Sequence, residues 1–300
     1  MRILSAMRIF NEMGENAWSS TPAAKAFVDG SPLGQALLHF HDVHGSVLVK
    51  LPEYFRQNGF SNPSNASAGP FQYAFGTDLH HFDWLKQNPR QLKAFNSLMT
   101  AQRRDKGEDW FNYFPVEERL ASNRTADKES PLLVDVGGGL GTDLTAFRTK
   151  YPHIDGRLIL QDLPEVIAGT KDLGAGIEPM GHDFFTPQTV AGARAYYLRT
   201  ILHDWPDKEA KLILQNILQA MAPDSILLLN EYVLPDSGVP LFPGQLDLSM
   251  MAMFSSLERT KRQWEDLLNS AGFEVLKIWA PQVMDVGHAS LIEARPKHMS

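Results

Sequence analysis

The sequence has no cysteine among its 300 residues, and this one absence removes disulfides, thiolate metal sites and cysteine nucleophiles together. It also lacks a cationic surplus. The formal net charge is -7, whereas phosphate binding needs clustered Lys and Arg, so nucleic acid is not an expected partner. No apolar run reaches the roughly 18 residues of a membrane span. Arg2, Arg8 and Glu12 interrupt the opening MRILSAMRIFNEMGE, so no secretory h-region is read there either. The expected setting is cytoplasmic, without a membrane partner, and the sequons at Asn65 and Asn123 read as chance matches. A G-x-S-x-G elbow is missing, and no P-loop lysine follows the glycines.

What is present begins with residues 133–144, LVDVGGGLGTDL, an apolar strand running into clustered glycines and then a helical pattern. A dinucleotide fingerprint places glycine at the first, third and sixth positions, so that the helix N-terminus can receive a pyrophosphate. Counted from Gly137 and Gly139, the sixth positions are Thr142 and Leu144, and the fingerprint fails. Gly137, Gly139 and Gly141 remain, a loop that brings backbone close to a ligand with no pyrophosphate to hold. S-adenosylmethionine suits such a loop. Glycines at tight turns are the competing explanation.

A content of 43% hydrophobic residues suffices for one sizeable core and a smaller unit. NGFSNPSNASAGP, residues 58–70, has linker composition, which sets an expected boundary near residue 75: a smaller unit over 1–75 and a larger domain over 76–300. Thr21-Pro22 marks a helix start in the first. The second opens with aromatic-rich helical pieces at Phe82 to Met99 and Trp110 to Leu120, then a polar connector from Ala121 to Pro131.

Beyond Pro131, strands are expected at Leu132 to Val136, Arg157 to Gln161, Ala195 to Thr200, Ser225 to Tyr232, Glu274 to Trp279 and Ala289 to Ala294, with helices between most of them. The fold class is therefore α/β, with a mostly parallel sheet covered on both faces. The short connection from Pro281 to His288 makes the last two strands an antiparallel hairpin. Pro206 occupies a favoured helix-start position, Thr260 and Gln263 form a capping box, and Gly272 ends that helix.

Ligands of open α/β sheets lie at the carboxyl ends of the strands. That edge is expected to collect the glycine loop, Asp162, Asp183 with Phe184, His203 with Asp204, and Glu231. Asp162, 21 residues after Gly141, suits two ribose hydroxyls, or else is a surface acid before Pro164. Phe184 reads as an apolar face for adenine or as core, and Arg199 as a cofactor contact or a surface cation. Met250, Met251, Met253 and Phe254 lie in a helix expected to run up to Glu258. They read as core packing or as lining for a flat apolar substrate.

The segments YYLRTILHDWPDKEA, LQDLPEVI, GHDFF, NEYVLPD and LERTKRQW, in this order with the glycine loop, resemble the metal-independent small-molecule O-methyltransferases of fungi and plants. The similarity extends to FQYAFGTDL and FPVEERL, near the full length of the chain. The resemblance implies a Rossmann-like methyltransferase sheet preceded by a mainly helical, winged-helix-like remnant that serves dimerisation, and hence a homodimer. Members usually start with further dimer-locking helices, and the absence of these is expected to weaken the dimer. The resemblance also implies S-adenosylmethionine as cofactor without a metal. It makes His203 the general base flanked by Glu231 and Glu258. It places Gly137, Gly139, Asp162, Leu163, Asp183, Phe184 and Arg199 at the cofactor, and Met99, Asp204, Met250 and Phe254 at an aromatic substrate.

The chemistry supports a histidine independently. Full deprotonation of a phenol of pKa near 10 at pH 7 requires roughly 3 units, about 4 kcal/mol, whereas an alcohol near water's roughly 15.7 requires about 12 kcal/mol. A neutral imidazole with an ordinary pKa near 6.5 can take a phenolic or enolic proton, and a carboxylate on its far nitrogen fixes the tautomer. His39, His41 and His44 lack the i, i+4 spacing of helical zinc sites and, with His80-His81, read as solvated histidines. Two rival readings remain. One is a relative that uses the cofactor's charge for a pericyclic or dehydration step. Such relatives tend to lose the HDW histidine that this chain keeps. The other is a non-catalytic scaffold.

Overall fold

The structure is a computed structural model describing all residues except 29, 105–107, 123–128, 171–172, 282–288 and 298–300. The Asn123 sequon, much of the 121–131 connector and the 281–288 connection lie outside the described residues. The chain divides into two compact units, the first comprising Met1–Ser61 and Ser67–Lys106, the second Asn62–Ala66 and Gly107–Ser300. Residues 67–106 thus group with the N-terminal unit, while Asn62–Ala66, within the linker-like 58–70 segment, group with the second.

The first unit contains a two-stranded antiparallel hairpin, β1 (Phe10–Gly14) and β2 (Ala17–Ser20), among helices α1 (Arg2–Ala6), α2 (Pro22–Ala26), α3 (Pro32–His39), α4 (Ser46–Leu48), α5 (Leu51–Asn58), α6 (Pro70–Phe75), α7 (His81–Gln87) and α8 (Pro89–Arg104). Thr21 caps α2 as expected, its hydroxyl accepting the Ala24 N–H at 3.1 Å. Asn88-Pro89 divides the Phe82 to Met99 run into two helices, since the residue before proline is driven out of the helical region.

The second unit is built on a seven-stranded sheet of order β5-β4-β3-β6-β7-β9-β8. Its strands are β3 (Pro131–Val136), β4 (Arg157–Asp162), β5 (Ile177–Gly181), β6 (Ala195–Arg199), β7 (Ile226–Glu231), β8 (Phe273–Trp279) and β9 (Ser290–Pro296). The first five are parallel; β9 runs antiparallel between β7 and β8. Strands β3, β6 and β7 read PLLVDV, AYYLR and ILLLNE and are buried along nearly their whole length, as sequences covered on both faces must be. Strand β5 was not expected. Its IEPMG sequence contains Pro179, which a central strand would reject but an edge strand accepts.

The helices of this unit are α9 (Thr142–Lys150), α10 (Pro164–Ile167), α11 (Asp207–Leu218), α12 (Leu241–Phe254) and α13 (Lys261–Ser270). The capping box of α13 is present, with Thr260 and Gln263 exchanging side-chain and backbone bonds. Helix α12 stops four residues short of Glu258. Ser255 turns the chain in a left-handed conformation at φ 56°, and the N–H groups of Ser255 and Ser256 close on the carbonyls of Met251 and Met250. On one face of the sheet, Trp110 stacks on Phe147 and on Tyr197 with centroids 5.8 and 5.2 Å apart, inside a core that includes Leu133, Leu144 and Leu228.

Candidate active site

Strand order reverses between β3 and β6, because the chain winds outward through β4 and β5 before crossing to β6. The carboxyl ends there form the crevice where open α/β sheets hold ligands. The glycine loop leaves β3 with its backbone tied to the neighbouring strand, Gly137 and Gly138 both donating to the Gln161 carbonyl at 2.8 and 3.1 Å. Gly137 and Gly139 have φ of 75° and 60°, in the left-handed region that costs other residues roughly 1–2 kcal/mol. Gly138 is required for a different reason. A β-carbon there would lie 2.5 Å from Asp135 and Leu160.

Asp162 ends β4 facing that loop. Its Oδ2 accepts the Gly139 N–H and its Oδ1 the Leu163 N–H, each at 2.8 Å. These two bonds fix the orientation of the carboxylate against the loop. Phe184 approaches the same loop: a β-carbon on Gly137 would lie 2.6 Å from Ile201 Cδ1 and 3.7 Å from the Phe184 ring. Asp183 is exposed and caps its own turn by accepting the Phe185 N–H at 2.9 Å, while the Phe184 carbonyl is held by the Asn216 amide at 3.0 Å. A bare backbone, a ring and a carboxylate at the end of the next strand fit a nucleoside.

Arg199 is placed differently from a bare cofactor ligand. Its Nη1 donates to both oxygens of Asp143, at 3.0 and 3.2 Å, and Tyr197 donates its hydroxyl to Asp143 Oδ2 at 2.7 Å. Asp143 sits in the first turn of α9, where a carboxylate also meets the helix dipole. The sequence reading passed over Asp143, although it follows the glycine loop directly.

His203 lies in a single 3-10 turn, Leu202–Asp204, after β6. Its Nδ1 is 2.7 Å from Glu258 Oε1, a distance at which a protonated Nδ1 donates to the carboxylate, whereas Nε2 stands 3.5 Å from Asp204 Oδ1, past usual hydrogen-bond length. Glu231, at the end of β7, fixes the start of this turn by accepting the N–H groups of Ile201 and Leu202 on Oε1 at 3.0 and 2.9 Å. Its Oε2 and Glu258 Oε2 are buried without a hydrogen-bond partner among the described residues.

Burial pushes the His203 pKa down, but Glu258, Asp204 and Glu231 outweigh it and raise the pKa to about 10, well above the ordinary 6.5. Burial raises Asp204 to about 6 and Glu231 to about 7; the His203 charge opposes both shifts and the Glu258 charge adds to them. The direction of the His203 shift favours its charged form over the neutral ring.

Helix α12 packs on the His203 turn, and Met250 and Phe254 near its end are both buried. Met99 is half-buried on α8, in the first unit. The histidines outside this site are not solvated as expected. Of the five histidines from 39 to 81, His39, His80 and His81 are buried, His44 is half-buried and His41 is well exposed. Among the described residues no group of His, Asp and Glu converges closely enough to hold a metal.

This arrangement defines a class: an α/β protein whose sheet edge carries a glycine loop, a strand-end carboxylate and a buried histidine paired with a glutamate. Residues 57–274 match the O-methyltransferase domain family, and the chain belongs to that family. It is 36% identical over 277 residues to the demethylsterigmatocystin 6-O-methyltransferase of Aspergillus flavus, covering 92% of this chain and 70% of that protein. To the O-methyltransferase penC of Penicillium thymicola it is 37% identical over 300 residues, covering 98% and 73%. Among solved structures, LepI in complex with S-adenosylmethionine matches with a TM-score of 0.88 at 32% identity, over 99% of this chain and 75% of that one. A match of the same score, identity and coverage is described as a pericyclic reaction enzyme. OxaC in complex with S-adenosylhomocysteine and oxaline matches at 0.86 and 29%, over 99% and 74%.

Proposed function

We propose that this chain is an S-adenosylmethionine-dependent O-methyltransferase that methylates a phenolic or enolic hydroxyl of an aromatic, polyketide-type small molecule, with His203 as general base. The observation that carries the reading is the buried His203–Glu258 pair, 2.7 Å apart, on the sheet edge that bears the glycine loop. Gly137, Gly139, Asp162, Leu163, Asp183, Phe184 and Arg199 would hold the cofactor; Asp204, Met250 and Phe254 would line the acceptor. Bound S-adenosylmethionine supplies a methyl group on a positive sulfur that leaves as a neutral thioether.

In its neutral form, protonated on Nδ1 alone, His203 takes the hydroxyl proton on Nε2 as the acceptor oxygen attacks. Glu258 holds Nδ1–H and stabilises the imidazolium, and Glu231 fixes the turn and adds negative charge nearby. A pKa of about 10 makes His203 isoenergetic with a phenol of about 10, so the proton moves between them with little free-energy change. That match supports a phenol or enol over an alcohol. The buried Met250 and Phe254 support a flat apolar acceptor. A homodimer built through the winged-helix-like first unit is supported by its exposed Leu33, Leu37, Phe40 and Val49. The acidic, cysteine-free composition supports a cytoplasmic setting.

The similarity to a pericyclic reaction enzyme favours one second reading, in which the cofactor's charge is used without methyl transfer. Incubation with methyl-labelled S-adenosylmethionine and a panel of phenolic polyketides separates the two. Labelled product that disappears in His203→Ala is the expected result. Rearranged product without label favours the second reading, and binding without turnover sinks both.

A further inference from the structure

Arg259 follows Glu258 in the chain, and its side chain is 1% exposed. It turns back onto the segment that carries His203. Nη1 donates to the Leu202 carbonyl at 2.9 Å, and Nη2 to the Trp205 carbonyl at 2.9 Å and to Asp207 Oδ1 at 2.7 Å; Nε donates to the same Asp207 oxygen at 3.0 Å. The guanidinium carbon lies 5.1 Å from the Trp264 ring centroid, a cation–π distance. The two carbonyls bracket His203 and Asp204, one on each side of the turn.

The backbone around Arg259 is anchored as well. Glu258 N–H donates to Asp247 of α12 at 2.9 Å, and Leu234 N–H, beyond β7, donates to the Arg259 carbonyl at 3.0 Å. Residues 258–259 are therefore tied to α12 and to the exit of β7 through their backbone, and to the histidine turn through one side chain. A buried guanidinium is an expensive way to fill space, since an apolar side chain of like volume avoids its desolvation. Its planar fork of donors can bridge two carbonyls and a carboxylate at once, which a lysine cannot.

We infer that Arg259 is a positioning residue that sets the separation and orientation of His203 against Glu258 by strapping the histidine turn to the segment bearing the glutamate. Without the strap, Glu231 still holds the N–H groups that begin the turn, but its far end is released. A displacement of 1 Å in such a pair lowers turnover by on the order of a hundredfold. The inference deepens the reading of His203 as the base and rests on it for its catalytic consequence.

The test reads the His203 ring nitrogens by NMR titration of the full chain, alongside pH profiles of kcat. Arg259→Met removes all the donors, Arg259→Lys retains the charge and one bond, and Asp207→Ala removes only the exposed partner. The expected result is an inflection of His203 about one unit lower or more in Arg259→Met, with kcat down at least about tenfold and the cofactor KM within about twofold. Arg259→Lys should lie between, and Asp207→Ala should move the same way by less. If Arg259→Met does not fold, the other two variants decide. A His203 inflection unchanged in every folded variant overturns the inference, whatever happens to activity. The resting titration does not depend on turnover, so a His203→Ala enzyme that still transfers methyl would defeat the base reading while leaving the titration to judge Arg259.

Discussion

His203 and Glu258 face each other at 2.7 Å, fifty-five residues apart in sequence, in a site from which both are almost completely withdrawn from water. A carboxylate this close favours the protonated imidazole, so under the proposed mechanism the ring has to lose a proton before it can accept one.

The consequence is a pH–rate profile displaced from that of an ordinary histidine. With the His203 pKa raised to about 10, the base form grows roughly tenfold per pH unit from 7 upward, and kcat/KM rises with it until the group has titrated. Glu258→Gln removes the charge that raises the pKa most. Its inflection should fall by more than one unit while its plateau drops by about tenfold or more, because the imidazolium formed in the transition state is then less stabilised. Matched profiles of the two proteins decide this, and an inflection that stays in place would count against the pair.

Gly137→Ala tests the cofactor half of the site. The new methyl group would lie 2.6 Å from Ile201 Cδ1, at a backbone φ of 75°. The strain, about 1–2 kcal/mol from the backbone alone, should lower the thermal midpoint. It should also push Ile201 and the loop apart and weaken S-adenosylhomocysteine binding by about tenfold or more, read by calorimetry. The binding idea fails if affinity is retained while the midpoint falls.

Much of this was legible in the chain because it is local. The glycine loop, the capping box at Thr260 and the long apolar runs of β3, β6 and β7 each follow from neighbours in sequence. Strand β5 was hidden because Pro179 argues against a strand unless its edge position is known. The early end of α12 was hidden because a serine, not a glycine, adopts the left-handed turn at 255. The His203 pKa shift and the Arg259 strap depend on groups brought together from β6, β7 and the segment after α12. The strand-end rule gathers His203 and Glu231 at one edge, but no spacing along the chain brings Glu258 there, and only the family resemblance pointed to it beforehand.

Asp143 and Arg199 provide a test that is read from stability alone, without turnover. Asp143 accepts from both Arg199 and the Tyr197 hydroxyl, and Asn230 donates to that hydroxyl at 3.0 Å. Arg199→Met leaves the carboxylate largely buried without its cation and should destabilise by about 3–5 kcal/mol. Asp143→Asn in the same chain should recover part of that loss. Urea unfolding of the two single variants and the double gives the coupling, and strict additivity would mean that the pair contributes nothing as a pair.

The histidines of the first unit predict an acid limit to its stability. Burial holds His39, His44 and His80 at about 4 and His81 well below 6.5, and the nearby Asp42 and Asp83 oppose the shifts of His39 and His80 without overcoming them. His39 touches His44, His81 and Phe95 at ring separations of 5.3, 5.8 and 5.4 Å, and neither of its ring nitrogens has a hydrogen-bond partner among the described residues. Each folded pKa lies below its unfolded value, so the unfolded chain binds more protons between about 4 and 6.5 and stability is lost as pH falls through that window. One such histidine is worth up to about 3 kcal/mol, and several together approach the roughly 5–15 kcal/mol of a whole domain. Urea midpoints should therefore be flat above pH 7 and fall steeply below 6. His39→Leu keeps the volume and removes one of these protons, so its midpoint should fall less steeply with pH; an identical slope in the variant would show that His39 is already charged in the folded protein.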